Sequence, residues 1–424
     1  MSVQQTKQRH ALGLIAALLP SLIQATLGQG LLTQYSASLQ FPLEPPTLDV
    51  SCPLPVDDRV GNGSVASTSL WTHQPKCEFS KGATKKYCAY TNSQHGPRGW
   101  SIVTKPETAA DSASFLNYPL NMTWPADNNT QGTAAAPYKL VDIPGRGVGV
   151  VATRHIKQYE EIMLDYATVL VDIMFTTEVS AFLGYRLLHA AVDQLADPDS
   201  VLALEQSNGY ARDKVENILR TNAFNTPLGG VPHIALYPLV SRINHGCNPN
   251  AYTRFKHEAL QLSIGALRDI AEGEEITHSY IPLGLTSAER AQKLRPWGFT
   301  CTCSLCTAPP DELAASDARR RELQQLNGAA RSAFQAGRPY EALRLTRQIL
   351  ARLPREDLLF GLGSEQYENL ARVYYVLGER AEARRYVRKA LEIRVEQGYD
   401  EGPVGEREVE GVLRRFAEEE GVRY

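Results

Sequence analysis

The sequence predicts an α+β chain in which a domain of short strands, broken by a helical insertion, precedes an all-α C-terminal region. Three observations predict it. Between Tyr138 and Ile281, short runs rich in Val, Ile, Leu and Tyr alternate with Gly, Pro and Asn, the punctuation of strands and turns. After Pro309, apolar residues recur at helical spacing. Between the two lies Cys301-Thr302-Cys303-Ser304-Leu305-Cys306. That spacing is too tight for three thiols to find separate disulfide partners, and it suits one tetrahedral ion. A length of 424 residues accommodates two or three domains.

Residues 1–28 read as a signal peptide. Lys7, Arg9 and His10 precede an apolar stretch from Ala11 to Leu27, interrupted by Pro20, Ser21 and Gln24. This is the order of a secretory leader, too short and broken for a membrane span. Thr26 and Gly28 are the candidate small pair at the cleavage site. An uncleaved anchor and a mis-assigned start codon are the alternatives. No later stretch reaches spanning length, so no membrane span is expected in the mature chain. Triplets at Asn62, Asn121 and Asn128 have the N-x-S/T form of glycosylation acceptors. Residues 29–136 are rich in Ser, Thr, Pro, Asn and Gly and read as a loop-rich lead-in. Short strands are expected there at Cys88-Ala89-Tyr90 and from Trp100 to Val103.

The strand domain begins near Tyr138. Residues 138–142 and 148–153 read as strands flanking Pro144-Gly145-Arg146-Gly147, and 162–171 as a further strand. Phe182, Leu183, Tyr185, Leu187, Leu188 and Val192 line one side of a helix over 176–195, which Asp197-Pro198 ends. A second helix covers 213–219. Strands return at 239–243, 251–255, 260–266 and 275–281. Beyond Pro309, Leu370-Ala371, Tyr374, Gly378, Ala383, Val387 and Ala390 match the small and large positions of a tetratricopeptide repeat. Gly337 and Ala342 repeat the interval between Gly378 and Ala383. A plain helical bundle and a groove for a peptide partner are both open from this pattern.

A net charge of −3 gives no bulk attraction to nucleic acid or acidic membranes, so direct nucleic-acid binding is not expected. Clusters at Arg319, Arg320 and Arg321 and at Arg384, Arg385, Arg388 and Lys389 read as solvated helix faces. No paired-carboxylate hydrolase site, Ser-His-Asp arrangement or phosphate loop is recognisable. If four of the seven cysteines hold a metal, Cys52, Cys77 and Cys88 remain. Cys77 could pair with Cys88, or all three could be thiols. Metal-bound thiolates are most at home in a reducing compartment. The leader therefore points to the secretory pathway while the cysteines point elsewhere.

Three motifs carry chemistry. Arg146-Gly147-Val148-Gly149 lies between two strands; Asn244-His245-Gly246-Cys247-Asn248-Pro249-Asn250 follows. Gly273-Glu274-Glu275-Ile276-Thr277-His278-Ser279-Tyr280 comes next, ahead of Trp297-Gly298-Phe299 and the cysteine cluster. In this order and spacing they resemble the SET-domain protein lysine methyltransferases, over roughly 138–306. The helical C-terminal region looks like the SET-and-MYND subclass. Residues 172–243 contain no cysteine, so the zinc finger which that subclass inserts is absent. Trp71, Cys77 and Cys88-Ala89-Tyr90-Thr91 are similar to the N-terminal part of many fungal SET proteins.

The resemblance implies a SET β-fold over 137–283, a post-SET zinc segment over 284–308 and a tetratricopeptide-like domain over 309–424. It implies methyl transfer from S-adenosylmethionine to the lysine of a protein or peptide, histone or non-histone. Such chemistry takes place in the nucleus or cytoplasm. In-line displacement at a sulfonium methyl needs an amine that is neutral, aligned and desolvated. By resemblance, Tyr280 is catalytic, its hydroxyl at the methyl-transfer pore. Arg146, Gly147, Gly149, Asn244, His245 and Phe299 are expected at the cofactor. The two glycines would let backbone approach where a Cβ would collide, and Phe299 would pack on the adenine or wall the lysine channel. Cys247 joins Cys301, Cys303 and Cys306 as the fourth ligand of a structural Zn2+. His278 shares a strand face with Tyr280 but is expected to face solvent. Glu274 and Glu275 are expected to make a turn and a strand start. The alternative reading is a catalytically inactive SET interaction protein, luminal or secreted.

Overall fold

The computed structural model describes residues 70–116, 136–205, 213–228, 230–256 and 260–397. The expected leader, the triplets at Asn62, Asn121 and Asn128, Cys52 and residues 398–424 lie outside them. The described chain divides into two compact units, one taking 70–116 with 167–238, the other 136–166 with 239–397.

The first unit is built on a six-stranded sheet. In spatial order its strands are Lys76–Phe79, Lys86–Asn92, Trp100–Thr104, Val169–Asp172, His233–Leu236 and Phe224–Asn225. Val169–Asp172 is buried along its whole length, parallel to Trp100–Thr104 and antiparallel to His233–Leu236. The apolar run Val169-Leu170-Val171 suits a strand covered on both faces. Leu187, Leu188 and Ala191 of the helix Ala181–Asp193 share a core cluster with Val103 and Val171. The helix Lys214–Asn222 starts at Asp213, whose carboxylate accepts the Val215 and Glu216 N–H groups, a cap worth about 1 kcal/mol. Cys77 and Cys88 form a disulfide. The described part of the expected loop-rich lead-in therefore supplies three strands to a sheet. That sheet is completed by strands flanking the helical insertion.

The second unit holds two sheets. One runs Asn244–His245, Glu275–His278, Gly147–Ala152, Tyr138–Ile143 in spatial order; the other runs Ala251–Lys256, Gln261–Ala266, Glu161–Tyr166. The single strand expected over 162–171 is thus two strands in different sheets. The strand expected over 239–243 is instead a turn of 3-10 helix, Val240–Arg242. One residue accounts for both corrections. Asp165 is buried, and one carboxylate oxygen accepts the Tyr166 N–H at 2.9 Å. The other accepts the Leu239 and Val240 N–H groups at 2.6 and 3.1 Å. A carboxylate that occupies backbone donors stops one ladder and bends the other segment into a turn.

The C-terminal region of this unit is all-helical: Pro310–Gln335, Pro339–Arg352, Leu359–Val376 and Arg380–Glu396. Gly337 and Gly378 take φ of +70° and +80° just past the first helix of each hairpin, where a left-handed residue ends a helix. Ala342 and Ala383 are buried in the second helices. Arg320, expected on a solvated face, is also buried. The Glu356 carboxylate accepts from Ser316 Oγ (2.6 Å), Arg319 Nε (2.5 Å) and Arg320 Nε (2.8 Å). Arg320 also donates to the Leu285 carbonyl, and Asp317 accepts from the Ser287 N–H and hydroxyl. These bonds anchor the helices to the segment that follows Tyr280. No helix of the described residues is long and apolar enough to cross a membrane.

Candidate active site and cysteine cluster

The strand Asn244–His245 runs parallel to Glu275–His278, pairing His245 with His278. The Gly246 N–H donates to the His278 carbonyl at 3.0 Å. Asn250 stitches the following loop to the same strand: its Nδ2 donates to the Glu275 carbonyl at 2.9 Å and its Oδ1 accepts the Thr277 N–H at 2.8 Å. Two sequence-distant motifs are thereby held side by side.

Tyr280 follows that strand and is buried. Its hydroxyl donates to the Ile243 carbonyl at 2.8 Å, and its N–H donates to His245 Nδ1 at 3.1 Å. Its ring lies 5.3 Å from that of His245, 5.0 Å from His278, 5.7 Å from Trp297 and 6.4 Å from Phe299. Burial pushes the Tyr280 hydroxyl well above the usual phenol range, so it stays protonated. Burial, aided by neighbouring His245, lowers His278 to about 3. His278 is 3% exposed, which corrects its expected solvent-facing position. Phe299 is 39% exposed, an open aromatic edge beside the buried phenol.

The glycine motif divides. At Gly147 the chain has φ of +67°, and an added Cβ would meet nothing within 4 Å. That backbone is open to a ligand. At Gly149 an added Cβ would lie 2.3 Å from Ile143 Cδ1 and 2.8 Å from Asn244 Nδ2. A methyl group there would displace the ends of the Ile143 and Asn244 side chains, so the protein's own packing is one reason for glycine at this position. Arg146 and Asn244 are also engaged. Arg146 pairs with Glu275 and donates to the His245 carbonyl at 2.7 Å. Asn244 Nδ2 donates to Glu275 Oε1 at 3.0 Å. Glu275, read from sequence as a strand start, is the acceptor that aligns both. Period-two alternation marks His278 as Tyr280's neighbour, but nothing in the sequence marks Glu275 as the shared partner.

Cys247, Cys301, Cys303 and Cys306 bring their sulfurs within 4.8 Å of one another. Cys247 Sγ is 3.8 Å from Cys301 Sγ and 3.5 Å from Cys306 Sγ. Four sulfurs placed tetrahedrally about 2.3 Å from a zinc ion lie about 3.8 Å apart, so the donor set fits that ion. Cys247, Tyr280, Leu294 and Trp297 belong to one apolar cluster, against which Cys301, Cys303 and Cys306 pack.

A cavity of about 200 Å³ opens beside the site. His278, Ser279 and Ile281, which flank Tyr280, form one side; Leu358, Phe360 and Leu362 of the helical region form the other.

Residues 147–281 match the family model described as SET domain. The chain is 29% identical over 237 residues to the histone-lysine N-methyltransferase set5 of Schizosaccharomyces pombe, covering 53% of this chain and 67% of that one. It is 42% identical over 74 residues to the histone-lysine N-methyltransferase SMYD3 of Homo sapiens, 17% of each chain. It is 45% identical over 74 residues to the histone-lysine N-methyltransferase ATXR2 of Arabidopsis thaliana, 17% of this chain and 16% of that one. The chain matches well under two thirds of the length of these last two relatives.

Proposed function

We propose that this chain, whose residues 147–281 match the SET-domain family model, is a SET-domain lysine methyltransferase that transfers a methyl group from S-adenosylmethionine to a lysine of a protein or peptide. The observation that carries this reading is Tyr280, a buried phenol whose hydroxyl and N–H are fixed by Ile243 and His245 in the midst of the three motifs. S-adenosylmethionine, when bound, supplies an electrophilic methyl group on a positively charged sulfur. The open backbone at Gly147 and the exposed ring of Phe299 fit a flat cationic ligand. Arg146, Gly149, Asn244 and His245 support that rim by fixing the two strands. The Tyr280 hydroxyl proton is directed to Ile243, so its oxygen remains an acceptor that favours a cationic centre. Ile281, Leu283, Leu358, Phe360 and Leu362 give the cavity an apolar wall. A lysine amine drawn in there loses water and is neutral more readily.

The cysteine cluster would hold one structural Zn2+ and supply no catalytic step. It would tie the Asn244-His245 loop to the segment carrying Trp297 and Phe299. The two helical hairpins, with Gly-to-Ala intervals repeated at their turns, support a tetratricopeptide-like region. The division into SET domain, zinc segment and helical domain, at 137–283, 284–308 and 309–424, is part of the same reading. The Cys77–Cys88 disulfide supports a second reading, the luminal or secreted interaction protein, in which the 1–28 leader directs the chain to the secretory pathway. Mass spectrometry of the mature N-terminus tests that placement, and an intact residue 1 would contradict it. Calorimetric titration of zinc-loaded protein with S-adenosylmethionine tests the main reading: saturable binding is expected, and no binding at millimolar concentration would overturn it.

A further inference from the structure

We infer that the cysteine cluster sets the position of Tyr280 through the side chain of His245. The inference rests on the reading of the cluster as a metal site. His245 is 1% exposed and uses both ring nitrogens. Nδ1 lies 3.1 Å from the Tyr280 nitrogen, whose N–H can only donate. Nδ1 is therefore the acceptor, and the ring proton sits on Nε2. Nε2 is 3.0 Å from Cys247 Sγ, so the ring donates to the sulfur. One imidazole thus links a metal ligand directly to the backbone of the proposed catalytic residue.

Two more donors aim at the cluster. Arg290, 2% exposed, places Nη2 3.8 Å from Cys306 Sγ, and the Cys303 N–H lies 3.5 Å from Cys301 Sγ. N–H groups converging on sulfur suit metal-bound thiolate, which accepts more strongly than a neutral thiol. Metal loading therefore strengthens the Cys247–His245 bond and locks the ring in the orientation that receives the Tyr280 N–H. Loss of metal releases the four sulfurs from one another, so Cys247 Sγ no longer holds Nε2 in place. The ring can then turn, and Tyr280 loses its backbone anchor. By linkage, the Tyr280–His245 bond in turn favours metal retention.

The test follows hydrogen exchange at the Tyr280 amide in the full chain, zinc-loaded and chelator-stripped, together with the rate of zinc release to a chromogenic chelator. In the wild type, stripping should speed Tyr280 exchange about tenfold, as expected for loss of one hydrogen bond. The amides of Gln261–Ala266 should stay protected. In His245→Asn, the side-chain oxygen replaces Nδ1 as acceptor, but nothing reaches Cys247. Zinc release should then be about 10- to 100-fold faster, and Tyr280 exchange should no longer respond to zinc. If the wild type binds zinc but Tyr280 exchange ignores it, the relay falls and the metal site stands; this comparison needs no variant. The relay falls likewise if His245→Asn releases zinc at the wild-type rate, or if stripping deprotects Gln261–Ala266 equally. Failure to bind zinc at all would overturn both the relay and the metal site.

Discussion

A Cβ added at Gly149 would lie 2.3 Å from Ile143 Cδ1, whereas one added at Gly147 meets open space at a φ of +67°. Gly149→Ala should therefore cost about 1–3 kcal/mol through overpacking and disturb Asn244. Gly147→Ala should cost about 1–2 kcal/mol through backbone conformation alone. Thermal melts of the two variants, with S-adenosylmethionine affinity measured alongside, separate these causes. His278 gives a second prediction. Its folded pKa is about 3, below the ~6.5 of an exposed imidazole. Below about pH 6.5 the unfolded chain gains a proton that the folded chain refuses until about pH 3. Stability from this group is complete above that upper value and falls by about 1.4 kcal/mol per pH unit as pH drops through the window. Denaturant melts between neutral and acid pH should show this slope, reduced in His278→Asn. The grouping of Cys301, Cys303 and Cys306 was legible from their spacing, whereas Cys247 joined them, and Tyr280 stood out, only through the resemblance that their motifs carry. Glu275 and Asp165 were not legible, because a carboxylate's partners come from strands that only the fold brings together.

The helices and strands differ in how openly they are written. Gly337 and Gly378 announce helix ends through their freedom at positive φ, and the described chain beyond Pro309 is helical as expected. The run over 162–171 reads as one apolar strand because Asp165, the residue that splits it, looks like an ordinary alternation. The Glu356 cluster is a tertiary device of the same kind: Arg319, Arg320 and Arg321 read as a surface stripe, yet Arg320 is buried against Glu356. Burial raises the Glu356 pKa, but hydrogen bonds from Ser316, Arg320 and Arg319 outweigh it and hold the group below the usual range. Glu356→Ala should leave Arg320 charged and unpaired, costing about 3–5 kcal/mol. The thermal midpoint should drop accordingly, and replacing Arg320 and Glu356 together should recover part of the loss. A single variant melting like wild type would show that the cluster does not anchor the helices.

For the whole molecule, the order of motifs pointed to the SET-domain match over residues 147–281. What sequence order hid was grouping: residues 70–116 and 167–238 form one compact unit although the SET match runs unbroken from 147 to 281. Pairing Trp100–Thr104 with Val169–Asp172 is a long-range choice that local pattern does not encode. The central claim is that a lysine loses its proton and accepts a methyl group beside Tyr280. It is tested most directly by incubating zinc-loaded protein with methyl-labelled S-adenosylmethionine and a lysine peptide array that includes histone tails. The account predicts label on lysine with the wild type. It predicts a loss of about 100- to 1000-fold in turnover for Tyr280→Phe, with zinc content and cofactor affinity retained. Equal labelling by wild type and Tyr280→Phe, or no lysine labelling by a wild type that binds the cofactor, would contradict it.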